Sequence, residues 1–179
     1  MLEDLHRGCA AVKLLAVPSG GAVSFSSLSF AEADEIFTVK DTFQISQDDA
    51  STEEIKIDQN DETIDTDITQ GEMKIQGDIP SVNQALLAYF FETGQPSASV
   101  TIETGVTLTG KGYFKSPKEV IASVLVVSAS KKTALAFARV KLTASLTQDS
   151  TSDPVVVRFS GTVLANLKTG EGDFTSVSD

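Results

Sequence analysis

Residues 72–91 read EMKIQGDIPSVNQALLAYFF, and this stretch decides the fold. Its first part alternates strictly between polar and apolar residues. Because successive side chains of a strand point to opposite faces, this pattern predicts a strand with one dry face and one wet or lumen-facing side. The dry set is Met73, Ile75, Gly77 and Ile79, and the wet set is Glu72, Lys74, Gln76 and Asp78.

The second part of the stretch predicts one helix, from Ser81 to Phe91. Ser81 has the side chain of an N-cap, and Gln84, three residues on, completes a capping box. Apolar residues then recur at helical spacing and form one stripe, namely Val82, Ala85, Leu86, Tyr89 and Phe90. Gly94 and Pro96 end the helix. We expect this helix to cover an open end or face of a sheet.

An acidic segment lies upstream, with nine carboxylates between residues 48 and 67. A strand is predicted just before it, from about Thr42 to Gln47. In the last part of the segment, Ile64 and Ile68 flank Thr66 on one face, with Asp65 and Asp67 on the other. The acids of this segment suit a solvated strand edge, where they discourage wrong pairing.

Long strands are predicted for much of the remaining chain, including Ala10–Val17 and Val155–Ala165. The apolar run Val120–Ser128 contains four Val and one Ile, which favour a doubly buried strand over a helix. After a turn at Ser130–Lys132, a further strand is predicted with two distinct faces. One face carries Ala136, Ala138, Val140, Leu142, Ala144 and Leu146, and the other carries Leu135, Phe137, Arg139, Lys141, Thr143 and Ser145. The alanines suit either a core or close approach by another subunit.

The composition agrees with one globular, mainly β domain over residues 1–179. The chain is 41% hydrophobic and 22% charged, and at 179 residues it is long enough to bury a full core. We predict an antiparallel β-sandwich or split β-barrel with one flanking α-helix. Residues 1–9 are predicted to be flexible, and residues 170–179 to be a loose end or an assembly arm.

The net charge of −11 argues against DNA as a tightly bound ligand, because such binding needs clustered Lys and Arg to displace counterions. An acidic surface lets a polyanion slide past without sticking, although solubility alone would also account for it. The start of the chain lacks the features of a signal peptide, and no apolar run is long enough to span a bilayer. The single cysteine excludes an internal disulfide framework. These features predict a soluble chain that is not exported.

No group of residues in the sequence predicts catalysis, a metal or a cofactor. His6 and Cys9 provide only two of the roughly four ligands of a zinc site. Asp58–Glu62 resembles the start of a calcium loop, but Thr63 stands where Gly is required and Thr69 where the closing Glu is required. Paired carboxylates of the glycosidase type remain open, yet a sugar cleft usually has aromatic platforms, and the chain has two Tyr and no Trp.

In the order and character of its elements the chain resembles phage major tail tube proteins, which are related in fold to the tubes of contractile injection systems. The resemblance covers nearly the whole chain without one diagnostic motif. It rests on Ala10–Val17, Phe43–Asp58, Ile64-Asp65-Thr66-Asp67-Ile68-Thr69-Gln70-Gly71, the helix Ser81–Phe91, the hairpin Ile121–Leu146, the strand Val155–Ala165 and Gly170-Glu171-Gly172-Asp173-Phe174.

The resemblance implies a structural virion protein made in the cytoplasm of a bacterial host. Such proteins form hexameric rings whose inner sheets join around a lumen, and the rings stack into a tube. The lumen first holds a tape-measure protein and later passes DNA, and a negative lining helps that passage. Contacts with other tail proteins, and none with a membrane, are also implied. The lumen-facing or interface candidates are Asp65, Asp67, Glu72, Lys74, Gln76 and Asp78, while residues 20–35 and 170–179 would link successive rings.

Other classes of protein remain open on sequence alone. A different tail component of related fold, such as a terminator or a baseplate hub, would share these features. A monomeric β-sandwich for binding or adhesion would require an exposed aromatic patch. A hydrolase would require a concave pocket with coupled carboxylates.

Overall fold

The computed structural model of the protein describes residues 9, 11–56, 63–80, 84–94 and 97–178. Within them the chain is mainly antiparallel β structure with one helix, which confirms the predicted fold class. The strands are β1 (Ala11–Ala16), β2 (Asp34–Ile36), β3 (Gln44–Gln47), β4 (Ser51–Lys56), β5 (Thr63–Thr69), β6 (Met73–Ile79), β7 (Phe91–Thr93), β8 (Ala98–Glu103), β9 (Val106–Gly110), β10 (Tyr113–Pro117), β11 (Val120–Val127), β12 (Thr133–Thr147), β13 (Val156–Val163) and β14 (Phe174–Ser178). The helix α1 spans Gln84–Phe90.

Eight of these strands form the main sheet, in the order β2-β1-β11-β12-β13-β6-β3, with β14 also paired to β12. The long strand β12 lies at its centre. One edge of β12 pairs with β11, while the other pairs with β14 over Thr133–Phe137 and with β13 over Val140–Thr147. Over the described residues the main sheet is an open path rather than a closed barrel.

The alternation predicted for β6 is confirmed. Ile75 and Ile79 are buried on the dry face, whereas Lys74 and Gln76 are exposed on the other. Asp78 lies on the wet side, but its side chain is largely covered. The pattern therefore identifies which side of the sheet faces the core.

The core forms where the dry face of the sheet meets α1 and the start of β7. Its largest fully buried side chains include Phe90, Phe137 and Phe159. Two side chains bind carbonyls of α1. The hydroxyl of Tyr113, in β10, donates to the Gln84 carbonyl at 2.9 Å, and Nζ of Lys118, just after β10, donates to the Ala88 carbonyl in the last turn at 2.9 Å. Because the last carbonyls of a helix lack partners within the helix, the lysine contact stabilises its end.

The predicted end of the helix is wrong by one residue, and its predicted start lies outside the described residues. Phe91 belongs to β7 and pairs with Pro117 of β10. The Lys118 amide donates to the Phe90 carbonyl at 2.7 Å, so the chain leaves the helix directly into a strand pair. Tertiary pairing here ends the helix before Gly94, the residue from which the sequence predicted the stop.

Each half of β12 alternates as predicted, but the predicted faces are wrong across the whole strand, because a β-bulge lies between the halves. Ala122 pairs with Val140 but Val124 pairs with Phe137, so Ala138 and Arg139 both lie opposite Ser123. The extra residue shifts the alternation. The core-facing set is Leu135, Phe137, Val140, Leu142 and Ala144, while Ala136 and Ala138 are buried outside the main core cluster and Leu146 is exposed.

A clasp formed by the residues after β13 holds the loop between β1 and β2. Asn166 Oδ1 accepts from the Val23 amide at 3.0 Å, and Asn166 Nδ2 donates to the Val23 carbonyl at 2.8 Å. The Glu171 carboxylate accepts hydrogen bonds from the Ser24 hydroxyl and, at 2.7 Å, from the Phe25 amide. The C-terminal segment, predicted to be a loose end or an assembly arm, contains β14, which pairs with β12.

The clasp is expected to weaken in acid. The hydrogen bonds from Ser24 and Phe25 lower the pKa of Glu171 below its ordinary value of 4.5. The stabilisation is therefore complete above that ordinary pKa and is lost as pH falls through the lowered folded value. The NMR shift of the Phe25 amide should titrate with a midpoint below 4.5, and Glu171→Gln should abolish that titration. A midpoint at or above 4.5 would contradict this assignment.

The close packing around Gly161 predicts a strong effect of one added methyl group. A Cβ at Gly161 would lie 2.6 Å from Val140 Cγ1 and 2.7 Å from Leu142 Cδ2, in the centre of the core. We expect Gly161→Ala to lower the free energy of unfolding by about 1–3 kcal/mol, the usual cost of overpacking. Denaturant unfolding measures this. Gly110→Ala is the matched control, since its Cβ would meet only Gln84 Nε2 at 3.7 Å; equal losses would refute the packing argument.

Candidate assembly surfaces

The wet residues of β6 belong to a wider polar surface on the main sheet. Cross-strand register places Ser46 and Thr162 beside Lys74, Gln44 and Ser160 beside Gln76, and Arg158 beside Asp78. The surface continues onto β12. We call this surface the polar face; its residues are Gln44, Ser46, Lys74, Gln76, Asp78, Lys141, Thr143, Ser145, Arg158, Ser160 and Thr162.

Side chains of the polar face bind one another across the strands. Gln76 Nε2 donates to Gln44 Oε1 at 2.9 Å, and the hydroxyls of Thr143 and Ser160 lie 3.3 Å apart. Lys141 Nζ pairs with Glu119 at 2.7 Å. Small hydroxyl and amide groups thus form most of a surface that stays hydrated.

Lys74 is the cation at one end of the polar face. Its Nζ lies 2.8 Å from Asp48 Oδ2 and 3.4 Å from Glu72 Oε2. The hydrogen bond to Asp48, and then that to Glu72, raise the pKa of Lys74 above its ordinary value. Glu72, predicted as a lumen candidate, therefore acts at the edge of the face as a partner of this lysine.

Arg158 organises the other end of the polar face. Its guanidinium donates to both carboxylate oxygens of Asp78, at 2.7 and 2.8 Å, and to Asp149 at 2.9 Å. The hydrogen bonding to Asp78 is the main cause that raises the pKa of Arg158 above its ordinary, already high value. Two parallel bonds of this kind fix the geometry of both side chains.

The polar face and its ion-pair partners carry little net charge. The three cations are Lys74, Lys141 and Arg158, and the five carboxylates are Asp48, Glu72, Asp78, Glu119 and Asp149, which leaves a net charge of −2. Such a surface neither binds a polyanion strongly nor repels it strongly. The strong acidity of the chain resides elsewhere.

Asp65 and Asp67 lie on β5, outside the main sheet. The strands β4 and β5 form a separate pair, but their register continues that of β3 and β6: Gln47 pairs with Met73, and Ser51 with Thr69. Between them the Asp48 amide donates to the Glu72 carbonyl at 2.9 Å. The two pairs thus form one long ribbon whose outer part, β4 and β5, we call the acidic ribbon.

The acidic ribbon brings like charges together. Glu53 lies directly opposite Asp67, and both are exposed. Over residues 51–69 the sequence contains seven carboxylates and one lysine, a net charge of −6 out of −11 for the whole chain. Like charges in register destabilise a strand pair and discourage it from adding strands of another copy.

A second pair of strands, β8 and β9, exposes apolar side chains. Val100 lies opposite Leu108, and Val106, two residues before Leu108, lies on the same face together with its partner Glu103. The register shifts at Ile102, which lies at a bulge between Thr101 and Glu103. The side chains of Val100, Ile102, Val106 and Leu108 are 42–61% exposed. On the other face the hydroxyls of Thr101 and Thr107 lie 3.1 Å apart. We call residues 98–110 the apolar hairpin.

The sequence did not predict that the apolar side chains of this hairpin are exposed. The alternation of Val, Ile and Leu with Thr was visible in the sequence, but alternation does not tell whether a dry face has a core to cover. The structure leaves this face uncovered by any described part of the chain. The exposed face is therefore a candidate contact surface.

Candidate chemistry is sparse among the described residues. No group of three His, Cys, Asp or Glu side chains there is placed to hold a metal ion. Burial is the main cause that raises the pKa of the Cys9 thiol, which disfavours the reactive thiolate. His6 and the calcium-loop-like residues 58–62 lie outside the described residues. The described part of the chain contains no helix with the length and apolar character needed to cross a membrane.

Comparisons with known proteins do not assign the chain to a family. No protein-family model matches it, and no curated protein sequence matches it significantly.

The Arg158 cluster predicts unequal roles for its two carboxylates. Asp78 is 13% exposed and makes two bonds to Arg158, whereas Asp149 is 65% exposed and makes one. We expect Asp78→Asn to lower the midpoint of denaturant unfolding, and Asp149→Asn to leave it nearly unchanged, because exposed ion pairs contribute little. Equal effects of the two substitutions would contradict this division.

Proposed function

We propose that this chain is a structural protein of a bacteriophage that assembles into hexameric rings, which stack into a tail tube. The observation that carries the proposal is the apolar hairpin, an exposed surface with four large apolar side chains and no described core to cover. Exposed apolar surface of this kind marks a contact with another molecule. The resemblance of the element order to tail tube proteins makes a second copy the proposed partner.

The arrangement of the elements supports this proposal. A strand at Ala11–Ala16, the alternating strand β6, the single helix α1, the hairpin of β11 and β12, and the closing strand β13 follow in the order on which the resemblance rests. Contacts between different surfaces of identical subunits repeat head to tail, and such contacts close into rings when the rotation allows.

In the proposed tube, the polar face lines the lumen. Its hydroxyl, amide and paired charged groups offer a passing chain no apolar surface to hold it. The net charge of −2 and the neighbouring acidic ribbon disfavour binding of DNA in transit. The tape-measure protein and DNA would thus pass through without specific binding, and other tail proteins would contact the ends of the tube.

Light scattering and negative-stain electron microscopy on purified protein over a concentration series test the proposal. We expect the scattering mass to rise with concentration and the images to show hollow rings or tubes. Prolonged incubation at the highest concentration separates slow nucleation from an inability to assemble. A species that stays monomeric at all concentrations, including after that incubation, would refute the proposal. Specific glycan binding by that monomer would favour the binding-module alternative.

A further inference from the structure

An apolar groove lies between α1, β10 and the end of β12. It has a volume of about 460 Å³, and its walls include Leu87, Phe114 and Leu146. Phe114 is 57% exposed and Leu146 is 51% exposed, so no described part of the same chain fills the groove. Lys115 is the one charged residue among the lining residues.

The apolar hairpin has the complementary character. Its face with Val100, Val106 and Leu108 also carries Glu103, which lies opposite Val106 and is the one charged residue within residues 98–110. The single charge of the hairpin is therefore opposite in sign to the single charge of the groove. The acidic ribbon is unsuited to this groove, because its many carboxylates would lose water against apolar walls.

The groove cannot take up the hairpin of its own chain in this conformation. The strands β7 and β10 form one wall of the groove, and Gly94 N donates to Gly112 O at 2.8 Å, so the ribbon continues from this wall towards β8 and β9. Along an extended strand, Val106 lies up to about 30 Å from Lys115. The exposure of all four apolar side chains of the hairpin agrees with a hairpin that does not pack against the groove of its own chain.

We propose that the apolar face of the hairpin of one copy docks into this groove of the next copy, with Glu103 placed beside Lys115 of its neighbour. The inference rests on the proposed self-assembly and names the two surfaces that form the contact. The two surfaces differ, so the contact is heterologous: each copy offers its hairpin to one neighbour and its groove to another.

Cysteine cross-linking tests the contact directly. In a Cys9→Ser background, a variant with Leu108→Cys, on the face opposite to Thr101, is mixed with a variant with Leu146→Cys under mild oxidation. Both positions are more than half exposed, so neither substitution removes a core side chain. We expect a covalent dimer in the mixture and much less of it in either variant alone. Thr101→Cys, on the opposite face of the hairpin, is the matched control and should cross-link poorly with Leu146→Cys.

The outcomes separate this inference from the proposed function. Rings or tubes without the Leu108–Leu146 cross-link would overturn the inference and leave the proposed assembly standing. Cross-linking that is equally efficient from Thr101 would also overturn it, since random collision would explain the result. The absence of both assembly and cross-link would overturn the inference and the proposed function together.

Charge reversal provides a second measurement that leaves the apolar contacts unchanged. We expect Glu103→Lys to raise the concentration needed for assembly by about two- to fivefold, the effect of one exposed ion pair. Combining it with Lys115→Glu should restore the original concentration, because the pair is re-formed with opposite signs. A double variant that assembles no better than Glu103→Lys alone would overturn the placement of these two residues.

Discussion

The strand β12 and its bulge are the constraint on which the rest of the sheet depends. One edge of this strand pairs with β11. The opposite edge pairs with β14 along its first part and with β13 along its second part. The extra residue at Ala138–Arg139 shifts the alternation so that Phe137 and Val140 both face the same core. Without that shift, one half of the strand would turn its apolar side chains away from α1. The bulge thus lets a single long strand support one continuous core.

The bulge also separates two kinds of surface on the back of the sheet. Before it, Ala136 and Ala138 are buried; after it, Lys141 and Thr143 belong to the polar face. Arg139 lies at the boundary and donates from Nη1 to the Ala165 carbonyl at 2.8 Å, which ties it to the segment that forms the clasp. On the face of the sheet opposite the core, the part before the bulge is therefore covered by the chain itself, and the part after the bulge remains available to solvent.

The sequence predicted best where one periodicity acted without interruption. The alternation in β6 identified both of its faces, and the Val-rich run identified β11 as a strand, since β-branched residues fit pleated surfaces. The two halves of β12 were joined on the wrong faces because a bulge adds a residue without changing the apolar character of the pattern. The end of α1 was wrong because pairing of Phe91 with Pro117 is a tertiary contact that local signals do not contain.

The candidate surfaces were predicted only in part, for a similar reason. Lys74, Gln76 and Asp78 were recognised as wet residues, but their partners Asp48, Gln44 and Arg158 come from strands distant in sequence. Asp65 and Asp67 were named with them as lumen-facing or interface candidates from the resemblance, and register places these two residues on the acidic ribbon. The apolar hairpin shows the opposite failure: its pattern was visible, and its lack of a core was not.

The contrast between the two protruding strand pairs bears on how copies would meet. Identical surfaces carry identical charges, so two acidic ribbons brought face to face repel each other, and a two-fold contact through them is disfavoured. The apolar hairpin has almost no charge to oppose an approach, and the surface proposed for it is a different one. Under the proposed assembly, repulsion at one arm and apolar contact at the other therefore both favour a head-to-tail arrangement over a closed pair. A ring of subunits follows from that asymmetry if the angle between neighbours returns the last subunit to the first.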